Sequence, residues 1–141
     1  MTIVLSIEPT LDPDEFIDVL RRSTLAERRP VDDLARIEKM LAGADLIVTA
    51  RDAARRLVGV ARAVTDFSFC CYLSDLAVDQ ACQGQGIGKA LMKRVREEVG
   101  QETTFVLLSA PGAMSYYPHA GLDKFDCCFG LRRPWPEDED S

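Results

Sequence analysis

The sequence predicts an α+β fold, a mixed central β-sheet flanked by helices, and three observations carry that expectation. Apolar strand-like runs and amphipathic stretches follow one another in the order β-α-α-β-β-β-α-β-α-β. A strand, a glycine-rich turn, a helix and a further strand lie in succession between Cys70 and Ala110, so those two strands should be parallel neighbours. With 141 residues, 47% of them apolar, the chain is long enough for one domain with a proper core. The domain is expected over residues 1–134, followed by a short acidic tail at 135–141 that has nothing to bury.

Each element has a local cause. Ile3–Ile7 is a short apolar strand. In "LDPDEFIDVLRR", Asp12 is the N-cap of a first helix, Pro13 its first residue, and Glu15 stands three places after the cap. The polar connection "RSTLAERRPV" leads to a second helix with Leu34, Ile37 and Leu41 on one stripe, ended by Gly43. "LIVTAR" and "LVGVARAVTD" are strands joined by a turn around Asp52–Arg56, "CCYLSDLAVD" is a third, and "TFVLLSA" a fourth. Ile87, Leu91, Val95 and Val99 form the apolar stripe of the helix after the glycines, broadened by Met92, with Lys93, Arg94, Glu97 and Glu98 opposite. "GAMSYYPHA" is a short helix that Pro118 should bend or end, and "FDCCFGLRR" a last strand.

Composition excludes several classes. A net charge of −6 argues against a nucleic-acid surface, and no apolar run has the length of a membrane span. The start "MTIVLSIEPTL" has no basic segment or cleavage site, so no secretory signal is expected. The five cysteines form two adjacent pairs and a singleton, a poor disulfide framework, and with His119 the single histidine they offer no zinc set. Free thiols in a reducing cytoplasm and no bound metal are the expectation.

The chemistry concentrates in "ACQGQGIGKALMKRV". A Walker-type loop fails there, because Gln83 stands where the first glycine belongs and Ala90 where the magnesium-binding hydroxyl belongs. A dinucleotide fingerprint fails as well, since Lys89 takes the place of its third glycine. What remains is Gln83-Gly84-Gln85-Gly86-Ile87-Gly88, a Q/R-x-x-G-x-G/A pattern between a strand end and a helix start. Backbone N–H groups from Gln83 to Lys89 could converge there on a pyrophosphate, the glycines keeping Cβ atoms away and Gly88 letting the helix lie close to the sheet. Lys89 would add a charge-assisted contact. A tight turn that binds nothing is the plain alternative.

That pattern resembles the acyl-CoA pyrophosphate loop of the GNAT superfamily of N-acetyltransferases. "AMSYYPHAGL" is similar to the family's later aromatic-Tyr-x-x-x-Gly signature, with Tyr116, Tyr117 and Gly121 in the matching places. The resemblance implies an acyl-CoA N-acyltransferase fold and transfer of an acetyl group from acetyl-CoA to a primary amine. It implies main-chain bonding of the pantetheine arm along Leu76, Ala77 and Val78, with an oxyanion donor near Val78. It makes Tyr117 the general acid for the departing thiolate and Tyr116 a neighbour of the CoA arm. Asp75 is the candidate base on the strand before the loop, with a structural or substrate-binding carboxylate left open beside it. Gln83 departs from the commoner arginine, and Leu122 from the usual aromatic. Arg62, Asp66 and the "RSTLAERRP" segment border the expected cleft, where solvated loop and hairpin charge is the simpler reading. Trp135 is read as an anchor for the tail or an oligomer contact, which leaves a homodimer open. A non-catalytic acyl-CoA sensor is the rival reading.

Overall fold

The computed structural model describes residues 2–137, whose contacts gather into two compact units divided at the Leu108–Ser109 bond. The first unit holds β1 (Val4–Ile7), β2 (Leu46–Arg51), β3 (Leu57–Thr65), β4 (Cys70–Val78) and β5 (Thr104–Leu107). They pair in sequence order, antiparallel from β1 to β4 and parallel between β4 and β5. The mixed sheet and the parallel crossover both stand as expected.

Helix α1 (Pro13–Ser23) begins where the sequence places it. Asp12 accepts a hydrogen bond from the Asp14 N–H at 2.9 Å, and Pro13 occupies a first-turn position that needs no N–H. Asp33 caps α2 (Leu34–Ala42) through the Arg36 N–H at 3.1 Å. Phe16, Val19 and Leu20 of α1 join Ile37 and Leu41 of α2 over Ile47, Leu57, Val60 and Ala77, forming the core on one face of the sheet. Helix α3 (Ile87–Val99) covers the other face and buries the expected stripe, Met92 included. A Cβ on Gly59 of β3 would lie 3.1 Å from Leu91 Cδ1 and 3.2 Å from Ile87 Cγ2. The close approach of α3 to the sheet, which the sequence reading gives to Gly88, is thus visible at Gly59.

β4 carries two irregularities. Arg62 pairs with Asp75 and Ala63 with Leu73, so Ser74 is an extra residue, a β-bulge. Cys71 and Leu73 therefore face α3, whereas Asp75 and Ala77 face α1 and α2. Pairing with β5 also stops at Leu73 and Leu107, while β4 runs on to Val78 along β3. From Ser74 onward one edge of β4 has no strand beside it among the described residues.

In the second unit a 3-10 turn at Pro111–Ala113 precedes α4 (Tyr116–His119). Pro118 lies inside this helix and does not end it. It occupies the third helical position after Ser115, where the missing N–H would have had no helical acceptor. Gly121, at φ +90°, ends the helix, with its N–H on the Pro118 carbonyl at 3.1 Å and the Leu122 N–H on the Tyr117 carbonyl at 3.0 Å. That two-bond stop explains the Tyr-x-x-x-Gly spacing, because the position after the cap requires a left-handed backbone. The last strand expected at "FDCCFGLRR" does not form. Phe125, Cys127, Phe129 and Leu131 have the strand period, but all four are exposed and no strand pairs with them among the described residues. The acidic tail lies partly outside the described residues. Among those described, no helix is long and apolar enough to cross a membrane.

Candidate active site

The glycine turn follows β4 through a short anchored step. The Asp79 N–H bonds the Val58 carbonyl at 2.8 Å, its carboxylate accepts the Ala81 N–H at 2.9 Å, and Arg22 of α1 reaches the same carboxylate at 2.6 Å. Burial pushes the Asp79 carboxyl up, but the Ala81 N–H and the Arg22 guanidinium outweigh it and hold the group below the usual carboxylate range. Arg22 also donates to the Leu57 carbonyl at 2.6 Å, so one side chain ties α1, β3 and the base of the turn.

Gly84 and Gly86 have φ of +82° and +79°, and a Cβ on either would meet nothing within 4 Å. The turn is therefore left-handed at two places and open on its outer side. Gly86 is the N-cap of α3, whose first helical bond runs from the Ala90 N–H to the Gly86 carbonyl at 3.0 Å. The N–H groups of Ile87, Gly88 and Lys89 precede that bond, at the positive end of a 13-residue helix with no acidic residue in its first turn. Ile87 is buried against β3, whereas Gln83, Gln85 and Lys89 are exposed. These groups together form a concentration of donors suited to a pyrophosphate.

The adjoining edge of β4 is fixed by backbone alternation. Because the Asp79 N–H points to β3, the trans peptide turns the Val78 carbonyl the other way, and Gln83 Nε2 donates to that carbonyl at 3.3 Å. By the same alternation the Val78 N–H and both groups of Leu76 face the open edge. Ala77 departs from the sequence expectation, since its main chain faces β3 and its side chain is in the core. Farther back the Ser74 carbonyl faces the open edge too and accepts Arg29 Nη2 at 2.7 Å.

Asp75 is fully buried, with each carboxylate oxygen on a different arginine. Arg29 Nε reaches one at 2.5 Å, and Arg62 Nε takes the other. Arg62 is itself buried and donates further to the Met40 carbonyl at 3.2 Å and the Ser74 hydroxyl at 2.9 Å. The solvated reading of Arg62 is thereby overturned, and Arg29, named in the sequence only as part of a polar connection, joins the site. Asp66 lies at the hairpin after β3, where the N–H groups of Phe69, Cys70 and Ser68 hold its carboxyl down at about 2. In the second unit the rings of Tyr116 and Tyr117 stand edge to face, centroids 5.2 Å apart, and partial burial pushes the Tyr116 hydroxyl pKa up.

A left-handed glycine turn into a helix start, beside a strand edge left open by its parallel neighbour, is the arrangement of an acetyltransferase-type α+β domain. The chain belongs to the GNAT family: the acetyltransferase (GNAT) domain model matches residues 23–126. An uncharacterized N-acetyltransferase from the alga Gracilaria tenuistipitata var. liui is 36% identical over 68 residues, 47% of this chain and 37% of that protein. The chloroplastic GCN5-related N-acetyltransferase 1 of Arabidopsis thaliana is 32% identical over 109 residues, 75% of this chain and 55% of that one. The match to each of these relatives thus spans little more than half of the relative's length, or less. Among solved structures, a GNAT family acetyltransferase from Streptococcus pneumoniae shares the fold with a TM-score of 0.78 at 21% identity, covering 98% of this chain and all of that one.

Proposed function

We propose that this chain is an N-acetyltransferase that moves an acetyl group from acetyl-CoA to a primary amine of a small molecule by direct attack on the thioester. The observation that carries the reading is the open, twice left-handed glycine turn leading into α3 beside the unpaired edge of β4. The loop from Gln83 to Lys89 would hold the pyrophosphate, with Gly84 and Gly86 leaving the space a Cβ would fill and the first N–H groups of α3 donating. Leu76 and Val78 would bond the pantetheine arm as an added strand does, and the Val78 N–H would donate to the oxyanion. Acetyl-CoA supplies an activated acyl carbon, so the protein's tasks are binding, orientation and proton handling.

Tyr117 is assigned the proton for the departing thiolate and Tyr116 a place beside the CoA arm. Tyrosine suits the task because its hydroxyl, with a reference pKa of about 10, keeps its proton at neutral pH. Asp75 is better suited to positioning than to the base role, because both its oxygens already accept charged donors in a fully buried place. The amine then enters as its own free base or loses its proton to water. Five free cysteines fit a reducing compartment such as the cytoplasm. A homodimer, with neither nucleic acid nor membrane as partner, is part of the same proposal.

The test is a screen of primary amines against acetyl-CoA with detection of released thiol, alongside calorimetry of acetyl-CoA binding. Binding with turnover of at least one amine is expected. Binding without turnover across the panel would instead favour an acyl-CoA sensor, which needs neither Tyr117 nor a base.

A further inference from the structure

We infer that the acceptor amine carries an anionic group, a carboxylate or a phosphate, held by Arg29 at the β4 bulge with Arg62 behind it. The inference rests on the acyl-transfer reading and narrows its substrate class. Its first support is a charge imbalance. Two guanidiniums share the single carboxylate of Asp75, and among the described residues neither has another carboxylate within 4.0 Å. Asp75 is wholly buried and the Arg62 side chain is 8% exposed, so the surplus positive charge sits where water screens it poorly. An anion from outside would neutralise it.

The second support is donor geometry. A guanidinium has five N–H groups. Arg29 commits Nε to Asp75, one Nη1 proton to the Arg28 carbonyl at 2.8 Å and one Nη2 proton to the Ser74 carbonyl. One N–H remains on each terminal nitrogen, enough to donate charge-assisted hydrogen bonds to a carboxylate or phosphate. The Arg29 side chain is 20% exposed against 8% for Arg62, so Arg29 is the one of the two that a ligand meets first.

Place is the third support. Arg29 is bonded to the Ser74 carbonyl, on the same edge of β4 that presents Leu76 and Val78. At a strand rise of about 3.3 Å per residue, Ser74 lies roughly 7 Å from Leu76 and roughly 13 Å from Val78 along that edge. An amine attacking an acyl group held there would therefore have its anion several bonds away, as in an ω-amino acid or an aminoalkyl phosphate.

The experiment compares matched amines on the full chain with saturating acetyl-CoA: 6-aminohexanoate against hexylamine, 3-aminopropyl phosphate against propylamine, and cadaverine as a dication. Acetyl-CoA affinity is measured separately by calorimetry. Charge-assisted bonds of this kind should give an anionic member about tenfold or more advantage in kcat/KM over its neutral partner. The two pairs separate a carboxylate from a phosphate preference. Arg29→Gln should bring the ratio to about one, while Arg29→Lys should keep part of it. Equal use of neutral amines or cadaverine by a protein that binds acetyl-CoA would overturn this inference and leave acyl transfer standing. So would an unchanged ratio in Arg29→Gln. Absence of acetyl-CoA binding would overturn both. If Arg29→Gln fails to fold, competition on the wild type decides: hexanoate should inhibit amine turnover and hexanol should not, and equal inhibition refutes the inference.

Discussion

Replacing Asp75 by asparagine should destabilise this protein far more than it slows any chemistry. The carboxylate is fully buried, and its oxygens accept one guanidinium each. Asparagine keeps one acceptor but turns an amide NH2 toward the other arginine, so donor faces donor. Two positive charges are then left without any countercharge at a site where one of the arginines is itself buried. Removing one partner of a buried ion pair typically costs about 3–5 kcal/mol, a large part of a total stability of about 5–15 kcal/mol. For 141 residues, at about 3–4 °C per kcal/mol, the melting temperature should fall by roughly 10–20 °C. The assay is thermal and urea unfolding at neutral pH, with thiol release measured on the folded fraction at a temperature well below both transitions. Turnover per folded molecule should stay within about tenfold of wild type, well short of the effect of losing a general base. The opposite result for Asp75→Asn would be a melting temperature within about 3 °C of wild type and a loss of about 100-fold or more in turnover. That pattern would refute the positioning role and make Asp75 the base after all.

Three further outcomes are expected. Gly86→Val puts a branched side chain where a Cβ meets no protein atom within 4 Å but where φ +79° strains it, so the melting temperature should drop somewhat while acetyl-CoA affinity of the folded protein by calorimetry drops about tenfold or more; unchanged affinity would remove the loop from the site. Tyr117→Phe should lower turnover about 10²–10⁴-fold with acetyl-CoA affinity nearly intact, and Tyr116→Phe far less; similar effects of the two would refute the assignment of the acid. Arg51 holds Glu8 below the usual carboxylate range through their hydrogen bonds, and also pairs with Glu15 at 2.6 Å. Because Glu8 is depressed in the folded state, its contribution is complete above the unfolded carboxylate pKa and is lost as pH falls through the lower folded value. Urea midpoints should therefore decline across that acid range, and Arg51→Met should cost about 3 kcal/mol at neutral pH and flatten the decline.

The legible parts of this molecule were those whose cause is local. Asp12 and Pro13 mark the start of α1 within three residues, and the stripe from Ile87 to Val99 needs only a period of 3.6 to be seen. The glycine turn is equally local, since left-handed backbone at Gly84 and Gly86 is written into residue type. Arg29 was not legible, because its partner Asp75 is 46 residues away and its own segment has no period. Gly59 was hidden for a similar reason: the residues it admits, Ile87 and Leu91, belong to a helix that starts well beyond the end of the next strand. The expected last strand shows the opposite error. Phe125, Cys127, Phe129 and Leu131 have the right alternation, but a strand exists only where another strand bonds to it, and a partner cannot be read from a period.

The extra residue at Ser74 gives β4 a change of phase. Cys71, Leu73, Asp75 and Ala77 are all buried and all odd-numbered, so the strand looks like one uninterrupted alternation serving one core. It serves two. The first pair faces α3 and the second faces α1 and α2, with the switch made at one peptide. The extra residue is thus what lets one unbroken alternation in the sequence serve both faces of the sheet. Shortening the strand by Ser74 alone would leave Asp75 opposite Arg62 and Leu73 opposite Ala63, now as direct neighbours on opposite faces of an unbulged strand. Asp75 would still meet Arg62, and what Arg62 would lose is the Ser74 hydroxyl to which it donates.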